Sequence, residues 1–340
     1  MRIGLLTGGG DCPGLNAAIR AVVKRGTSEL GCSIVGFNNG WQGVIDGDAR
    51  PMTRDDVSGI LVHGGTMLGT ARCHPHKVDG GMEAVQETFE NEKLDGFICI
   101  GGDGTLKAAG KVSKALGIPV IGIPKTIDND VVGTDAAIGF DTAVTVATEA
   151  IDRLHSTAES HNRVMVVELM GRHSGWIAVT AGIAGGADII LAPEQPFDIK
   201  DITKRIKHRH RYKNFSIVAV AEGAIPAEGT KWSGSDTLDA KGNPIAGSIG
   251  HEVTKAIEEA TGFPTRLTVL GYVQRGGVPT AADRLLGTRM GVAAIDGIVA
   301  GETDKFTALQ GDRIVLEPFD TMMGKTKWVP EELLATARGL

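Results

Sequence analysis

Short apolar runs alternate with longer amphipathic ones along the chain, and glycine turns separate many of them. The runs Ile3–Thr7, Ile34–Asn38, Gly96–Ile100, Val120–Ile123, Val164–Glu168, Asp188–Ala192, Ile217–Ala221 and Thr268–Gly271 are almost continuously apolar or small. That is the pattern of strands covered on both faces. The stretches Leu15–Leu30, Leu106–Leu116, Thr142–Thr157, Trp176–Ala184 and Ile249–Ala260 are predicted as helices. Strands alternating with helices predict an α/β fold of doubly wound type with parallel sheets. In such folds ligands bind at the carboxyl ends of the strands.

A length of 340 residues exceeds the ~250–300 residues at which single cores stop growing, so two lobes are expected. No proline- or serine-rich linker marks a boundary. The expected division is 1–140, 141–305 and a C-terminal extension 306–340, with the chain recrossing between lobes. The most loop-like segment is Ala224–Gly247. Glycine is abundant, 48 residues without a Gly-X-Y period, which points to tight turns and close backbone approach to a ligand.

Charge narrows the function. With 41 acidic and 35 basic residues the net charge is -6, so no global positive field draws nucleic acid or an anionic membrane. Aromatics are only 4%, too few for base-stacking platforms. An anionic ligand must be held by locally placed Arg, Lys or backbone N–H groups. Cys12, Cys32, Cys73 and Cys99 have no Cys-x-x-Cys spacing, which argues against a zinc framework and for reduced thiols. The apolar start Ile3–Thr7 is too short for a signal peptide, and the longest uncharged stretch, Ser174–Ala187, falls short of the ~20 residues of a membrane span. A soluble cytoplasmic protein is expected.

Three segments carry the candidate chemistry. Thr7-Gly8-Gly9-Gly10-Asp11-Cys12-Pro13-Gly14 follows the first strand and opens a helix, where converging N–H groups can receive a phosphate. It fails the dinucleotide fingerprint because Pro13 stands where the third glycine belongs. Gly101-Gly102-Asp103-Gly104-Thr105 repeats the device and adds a carboxylate suited to Mg²⁺. Pro124-Lys125-Thr126-Ile127-Asp128-Asn129-Asp130 brings clustered aspartates to a third strand end, one able to act as a base. An Asx-turn with a helix cap accounts for one of them, not for the cluster. Later strand ends carry Glu168-Leu169-Met170-Gly171-Arg172, Glu222-Gly223 and Leu270–Gly277, and Arg163 and Arg266 open two strands. Arginine forks match phosphate oxygens, and their recurrence points to an anion pocket.

Other signals are weaker. Gly324-Lys325-Thr326 lacks the first glycine of a P-loop, where Phe319 stands. His74, His76 and His173 have no third metal partner at fitting spacing. Cys12 at a helix start invites a lowered pKa, against the commoner case of a buried thiol. The basic run Arg205–Lys213 reads as a solvated helix face rather than an effector site.

The ordered set GGGDCPGLNAAIR, GGDGT, P-TIDND, AIDR, MGR and LG-VQRGG resembles the 6-phosphofructokinases of bacterial type, from Met1 to about Gly301. The resemblance implies two Rossmann-like three-layer lobes with mostly parallel sheets, a donor lobe first and a sugar-phosphate lobe second. It also implies a glycolytic kinase that moves the γ-phosphoryl group of ATP to the 1-hydroxyl of fructose 6-phosphate. Carried over residue by residue, Asp128 is the base, Asp103 holds Mg²⁺ with help from Asp130, and Arg172 and Thr126 attend the transferring phosphoryl. Gly10, Arg72, Cys73, Gly102, Gly104 and Thr105 line the donor site. Thr126, Ile127, Met170, Gly171, Arg172 and Glu222 hold the sugar; Arg163, Arg266, Tyr272, Val273, Gln274 and Arg275 surround the 6-phosphate. A homo-oligomer, dimer or tetramer, with shared sites is implied, and neither nucleic acid nor membrane as partner.

The chain departs from that pattern in places. Tyr272 stands for the usual His, Cys73 for an adenine-packing aromatic, and Lys24 and His155 for effector-site arginines. The Ala224–Gly247 insertion resembles an actinobacterial branch whose members use either ATP or pyrophosphate. Pyrophosphate users in the family resemble one another in Asp at the position of Gly104 and Lys at that of Lys125, whereas ATP users have Gly at both. Glycine at 104 leaves room for a nucleotide, so ATP is expected, with a pyrophosphate-dependent enzyme as the alternative. Another GGDGT kinase acting on NAD or a lipid leaves TIDND, MGR and VQRGG unexplained. A silent sugar-phosphate-binding subunit conflicts with the intact Asp103, Asp128 and Asp130.

Overall fold

The computed structural model describes residues 1–227 and 248–339. The chain runs β1 (Arg2–Gly8), α1 (Leu15–Ser28), β2 (Ser33–Phe37), α2 (Trp41–Asp46), β3 (Ala49–Met52), α3 (Gly81–Asn91), β4 (Gly96–Gly101), α4 (Asp103–Leu116), β5 (Val120–Pro124) and α5 (Phe140–His161). It continues through β6 (Val164–Leu169), α6 (Trp176–Ala184), β7 (Ile189–Leu191), α7 (Ile199–Arg209), β8 (Ser216–Ala221), α8 (Ser248–Thr261) and β9 (Thr265–Val269). The last elements are α9 (Ala281–Val299), β10 (Lys305–Gln310), β11 (Arg313–Pro318) and α10 (Glu331–Gly339). The Ala224–Gly247 insertion lies outside the described residues from 228 onward.

Two compact units form, Met1–Thr142 with Arg275–Thr326, and Ala143–Gln274 with Lys327–Leu340. Among the described residues the first holds a seven-stranded sheet in the order β11-β10-β5-β4-β1-β2-β3, and the second a four-stranded sheet in the order β7-β8-β6-β9. Pairing is parallel except at the rims of the larger sheet, where β3 and β11 run antiparallel. Strands β4, β5, β6 and β8 are buried at every position, which is why they read as unbroken apolar runs. Leu6, Phe37, Trp41, Phe97, Leu106 and Phe306 pack the first core; Val164, Val166, Val218, Val253 and Ile257 pack the second.

The expected second boundary at 305 is corrected to 275, and 306–340 is no appendage. β10 joins the large sheet beside β5 and turns into β11 through Gly311-Asp312, with Gln310 opposite Arg313. Gly311 takes a φ of 60°, which a two-residue hairpin turn requires. After that hairpin, Val329 and Leu334 pack on Val179 and Ala192 in the second unit. The strand expected at Thr268–Gly271 is displaced to Thr265–Val269, because its register is set by β6, with Val164 opposite Thr265. No helix among the described residues is long and apolar enough to cross a membrane.

Candidate active site

In the first unit the three candidate loops leave neighbouring strands. Gly8 ending β1 pairs with Gly101 ending β4, and Gly101 pairs with Pro124 ending β5. With about 4.8 Å between strands, the loops stand side by side where the strand order reverses, at the switch point of the sheet. Neither α1 nor α4 has a side-chain cap at its N-terminus, so their first N–H groups face the loops with the positive end of the helix dipole.

Hydrogen bonds tie the loops together. The Lys125 N–H donates to the Gly101 carbonyl at 2.9 Å and the Thr126 N–H to that of Ile138 at 3.1 Å. The Lys125 ammonium, itself buried, donates to the Gly10 carbonyl. Burial pushes its pKa down, opposed by Cys12, Asp128 and Asp11. Asp128 is buried, and its N–H donates to Thr126 Oγ1 at 3.1 Å. Asn129 takes the left-handed φ of 50° between the two aspartates and accepts the Ala137 N–H through its side chain. Asp103 is partly exposed at the start of α4, and Lys107 binds its Oδ2 at 2.7 Å. A hard, accessible carboxylate at the start of a glycine loop fits Mg²⁺, which takes one or two protein carboxylates beside other oxygens and water.

In the second unit the loops after β6, β8 and β9 are likewise adjacent, Leu169 pairing with Ala221 and Glu168 with Val269. Glu222 braces the MGR turn: its Oε1 accepts the N–H groups of Gly171 at 3.3 Å and Arg172 at 2.8 Å. Gly171 has a φ of 147°, and a Cβ there would lie 2.5 Å from the Ser174 carbonyl, so the turn admits only glycine. Arg172 holds a left-handed φ of 52°, a conformation that persists where the surroundings enforce it.

Several expected site residues have other duties. Thr105 is a buried wedge; a Cβ at Gly8 or Gly101 would meet it at 2.7 or 2.4 Å. Ile127 is fully buried. Gln274 is buried too and links the Met170 N–H at 3.3 Å to the Gly271 carbonyl at 3.1 Å. Arg275 belongs to the first unit and donates to the Asp11 carbonyl at 3.2 Å, against Gly10. It therefore does not join Arg163 and Arg266 as one cluster on the second unit. Those two sit at the amino edge of the small sheet, where Arg266 pairs with Met165 and contacts Glu258 at 3.6 Å. Glu222 and the MGR turn occupy its carboxyl edge, about 20 Å away along β6 at ~3.3 Å per residue. Tyr272 and Val273 are exposed, as is Arg72, while Cys73 is half-buried. Burial raises the Cys12 pKa to about 12, so the reactive-thiol reading is overturned. Among the described residues no three His, Cys, Asp or Glu side chains gather to hold a metal.

The sequence reading weighed His74 only as a metal ligand, whereas its ring lies against Gly104, and it passed over Asp283, which accepts three hydrogen bonds at the start of α5. Nothing local announces either contact.

The family model of phosphofructokinase matches residues 2–298. A pyrophosphate--fructose 6-phosphate 1-phosphotransferase of Amycolatopsis methanolica is 49% identical over 332 residues, 98% of this chain and 97% of that protein. An ATP-dependent 6-phosphofructokinase of Corynebacterium efficiens is also 49% identical, over 343 residues, 100% of this chain and 99% of that protein. Among solved structures, phosphofructokinase of Pichia pastoris is 34% identical with a TM-score of 0.83, over 94% of this chain and 35% of the longer yeast chain. Likeness sustained over nearly the whole length, and not confined to the phosphate-facing loops, places this chain in the phosphofructokinase family.

Proposed function

We propose that the chain is an ATP-dependent 6-phosphofructokinase, a cytoplasmic homo-oligomer that phosphorylates the 1-hydroxyl of fructose 6-phosphate. The carrying observation is the side-by-side departure of three loops from β1, β4 and β5, with glycine at 104 and the Lys125 ammonium engaged by the Gly10 carbonyl. A lysine held in that way does not by itself mark a pyrophosphate user, and glycine at 104 brings no carboxylate against a nucleotide's phosphates.

The chemistry follows from placement. Phosphoryl transfer needs alignment and charge neutralisation more than covalent help. Asp128, buried beside Thr126, takes the proton from the 1-hydroxyl, a contribution of about 10²–10⁴-fold. Arg172, fixed by Glu222, steadies charge on the transferring group. Asp103, with Asp130, would hold Mg²⁺, which when bound supplies neutralisation of donor phosphate charge. Gly10 and Gly102 offer N–H groups to the donor, with Arg72 and Cys73 beside it; Met170 and Gly171 shape the sugar's place. Arg163 and Arg266 hold the 6-phosphate of a site on a second copy, and Tyr272, on the turn after β9, holds that of its own chain's site. The place of the two arginines at the sheet edge away from the MGR turn supports this sharing.

The name of the Amycolatopsis relative and Lys125 favour pyrophosphate as the second reading. Purified protein assayed with fructose 6-phosphate, Mg²⁺ and either donor separates the two. Turnover with ATP and little with pyrophosphate is expected; turnover with pyrophosphate and none with ATP overturns the donor assignment.

A further inference from the structure

Gly104 has no backbone reason to be glycine. It is the second residue of α4 and does not take a positive φ. What it lacks space for is a side chain: a Cβ would lie 2.9 Å from His74 Cε1, 3.5 Å from Nε2 and 3.9 Å from Nδ1. All three of its nearest neighbours thus belong to one imidazole, contributed by a residue thirty positions earlier in the chain.

The backbone that carries that ring is held in place. Pro75 restricts His74 to extended backbone, observed at φ -131° and ψ 107°. The next turn is closed by the Lys77 N–H on the His74 carbonyl at 2.9 Å. The His76 ring packs at 5.9 Å between centroids. The Nδ1 atoms of His74 and His76 are both buried without a hydrogen-bond partner, an arrangement that persists only where other demands fix the rings. The same loop carries Arg72 and Cys73.

We propose that His74 is a donor-positioning residue that acts through Gly104. Its imidazole is the wall against which the GGDGT loop is seated, so residues 74 and 104 behave as one unit. The loop keeps its donor-binding shape while 104 has no side chain and 74 has its ring. This rests on the reading of the GGDGT loop as the donor site. It extends that reading to a residue of another loop, which meets Gly104 through packing and a backbone hydrogen bond.

A double-mutant cycle tests it, with initial rates at saturating fructose 6-phosphate and thermal melting of every variant. The donor is whichever of ATP or pyrophosphate the wild-type chain uses, so a wrong donor assignment shows in the wild-type assay and leaves the cycle intact. In the His74 background, Gly104→Ala raises the donor KM by about tenfold or more, the scale of overpacking by a methyl, with kcat changed much less. In the His74→Ala background the same substitution raises KM by no more than about threefold, because the colliding atoms are gone. In the His74→Phe background, which keeps a ring, the full KM penalty returns. If Gly104→Ala fails to fold, recovery of folding on adding His74→Ala supports the proposal, and failure to recover overturns it. An equal Gly104→Ala penalty in the His74 and Ala backgrounds overturns it as well.

Discussion

Asp128 combines the properties expected of a base at the strand end of β5: it is buried, and its backbone is turned by Thr126 and the left-handed Asn129. Asp128→Asn preserves shape and removes proton affinity. It is expected to lower kcat by about 10²–10⁴-fold with the KM for donor nearly unchanged; steady-state kinetics with each substrate varied in turn check this, and near-normal turnover removes the assignment. The carboxylates were legible in sequence because an acidic cluster after a buried strand has few structural excuses. Thr105 and Gln274 carry structural contacts that the motif reading did not foresee, since packing and hydrogen bonds to distant residues are not written in a local motif.

At the scale of elements, the first unit depends on how α9 meets the start of α5. Asp283 of α9 accepts the N–H groups of Gly139 and Thr142, each at 2.8 Å, and the Thr142 hydroxyl at 2.6 Å. Burial raises its pKa, and the hydrogen bonds from Thr142 and Gly139 oppose the shift. Asn offers one acceptor oxygen in place of two and turns an amide donor toward existing donors. Asp283→Asn is therefore expected to destabilise the chain by about 1–3 kcal/mol, seen as a lower urea midpoint with an unchanged slope. An unaltered midpoint contradicts the importance of this cap. Helix periodicity located α5 but not α9, and their meeting joins residues some 140 positions apart, beyond what a local pattern encodes. The β10–β11 hairpin was different, since a Gly311-Asp312 turn between two short runs with apolar centres was a signal present in the sequence and passed over.

At the scale of the whole molecule, the amino-edge arginines make the oligomer testable. Asp128→Asn and Arg163→Ser chains, each carrying its own tag, are coexpressed and the mixed assemblies purified through both tags. With sites shared between copies, each mixed dimer contains one intact site, so turnover at low fructose 6-phosphate is expected to recover to about half of wild type. Mixed assemblies no more active than the average of the two parent variants would place every site within a single chain.

The sequence by itself determined the α/β class, the buried strands of both sheets and the loops that carry charge at their carboxyl ends. These depend on periodicity and on residue types within a few positions of one another, and hydrophobic burial enforces them locally. Only the tertiary structure decided that residues 275–326 return to the first unit, that Arg275 lies on the Gly10–Asp11 loop, and that Arg163 and Arg266 stand at the far edge of the small sheet from Glu222. It alone set His74 against Gly104. Each of these is a packing choice between distant segments. It is fixed by strand register, helix contact and the exclusion of one side chain's volume by another, none of which is written at a single place in the chain.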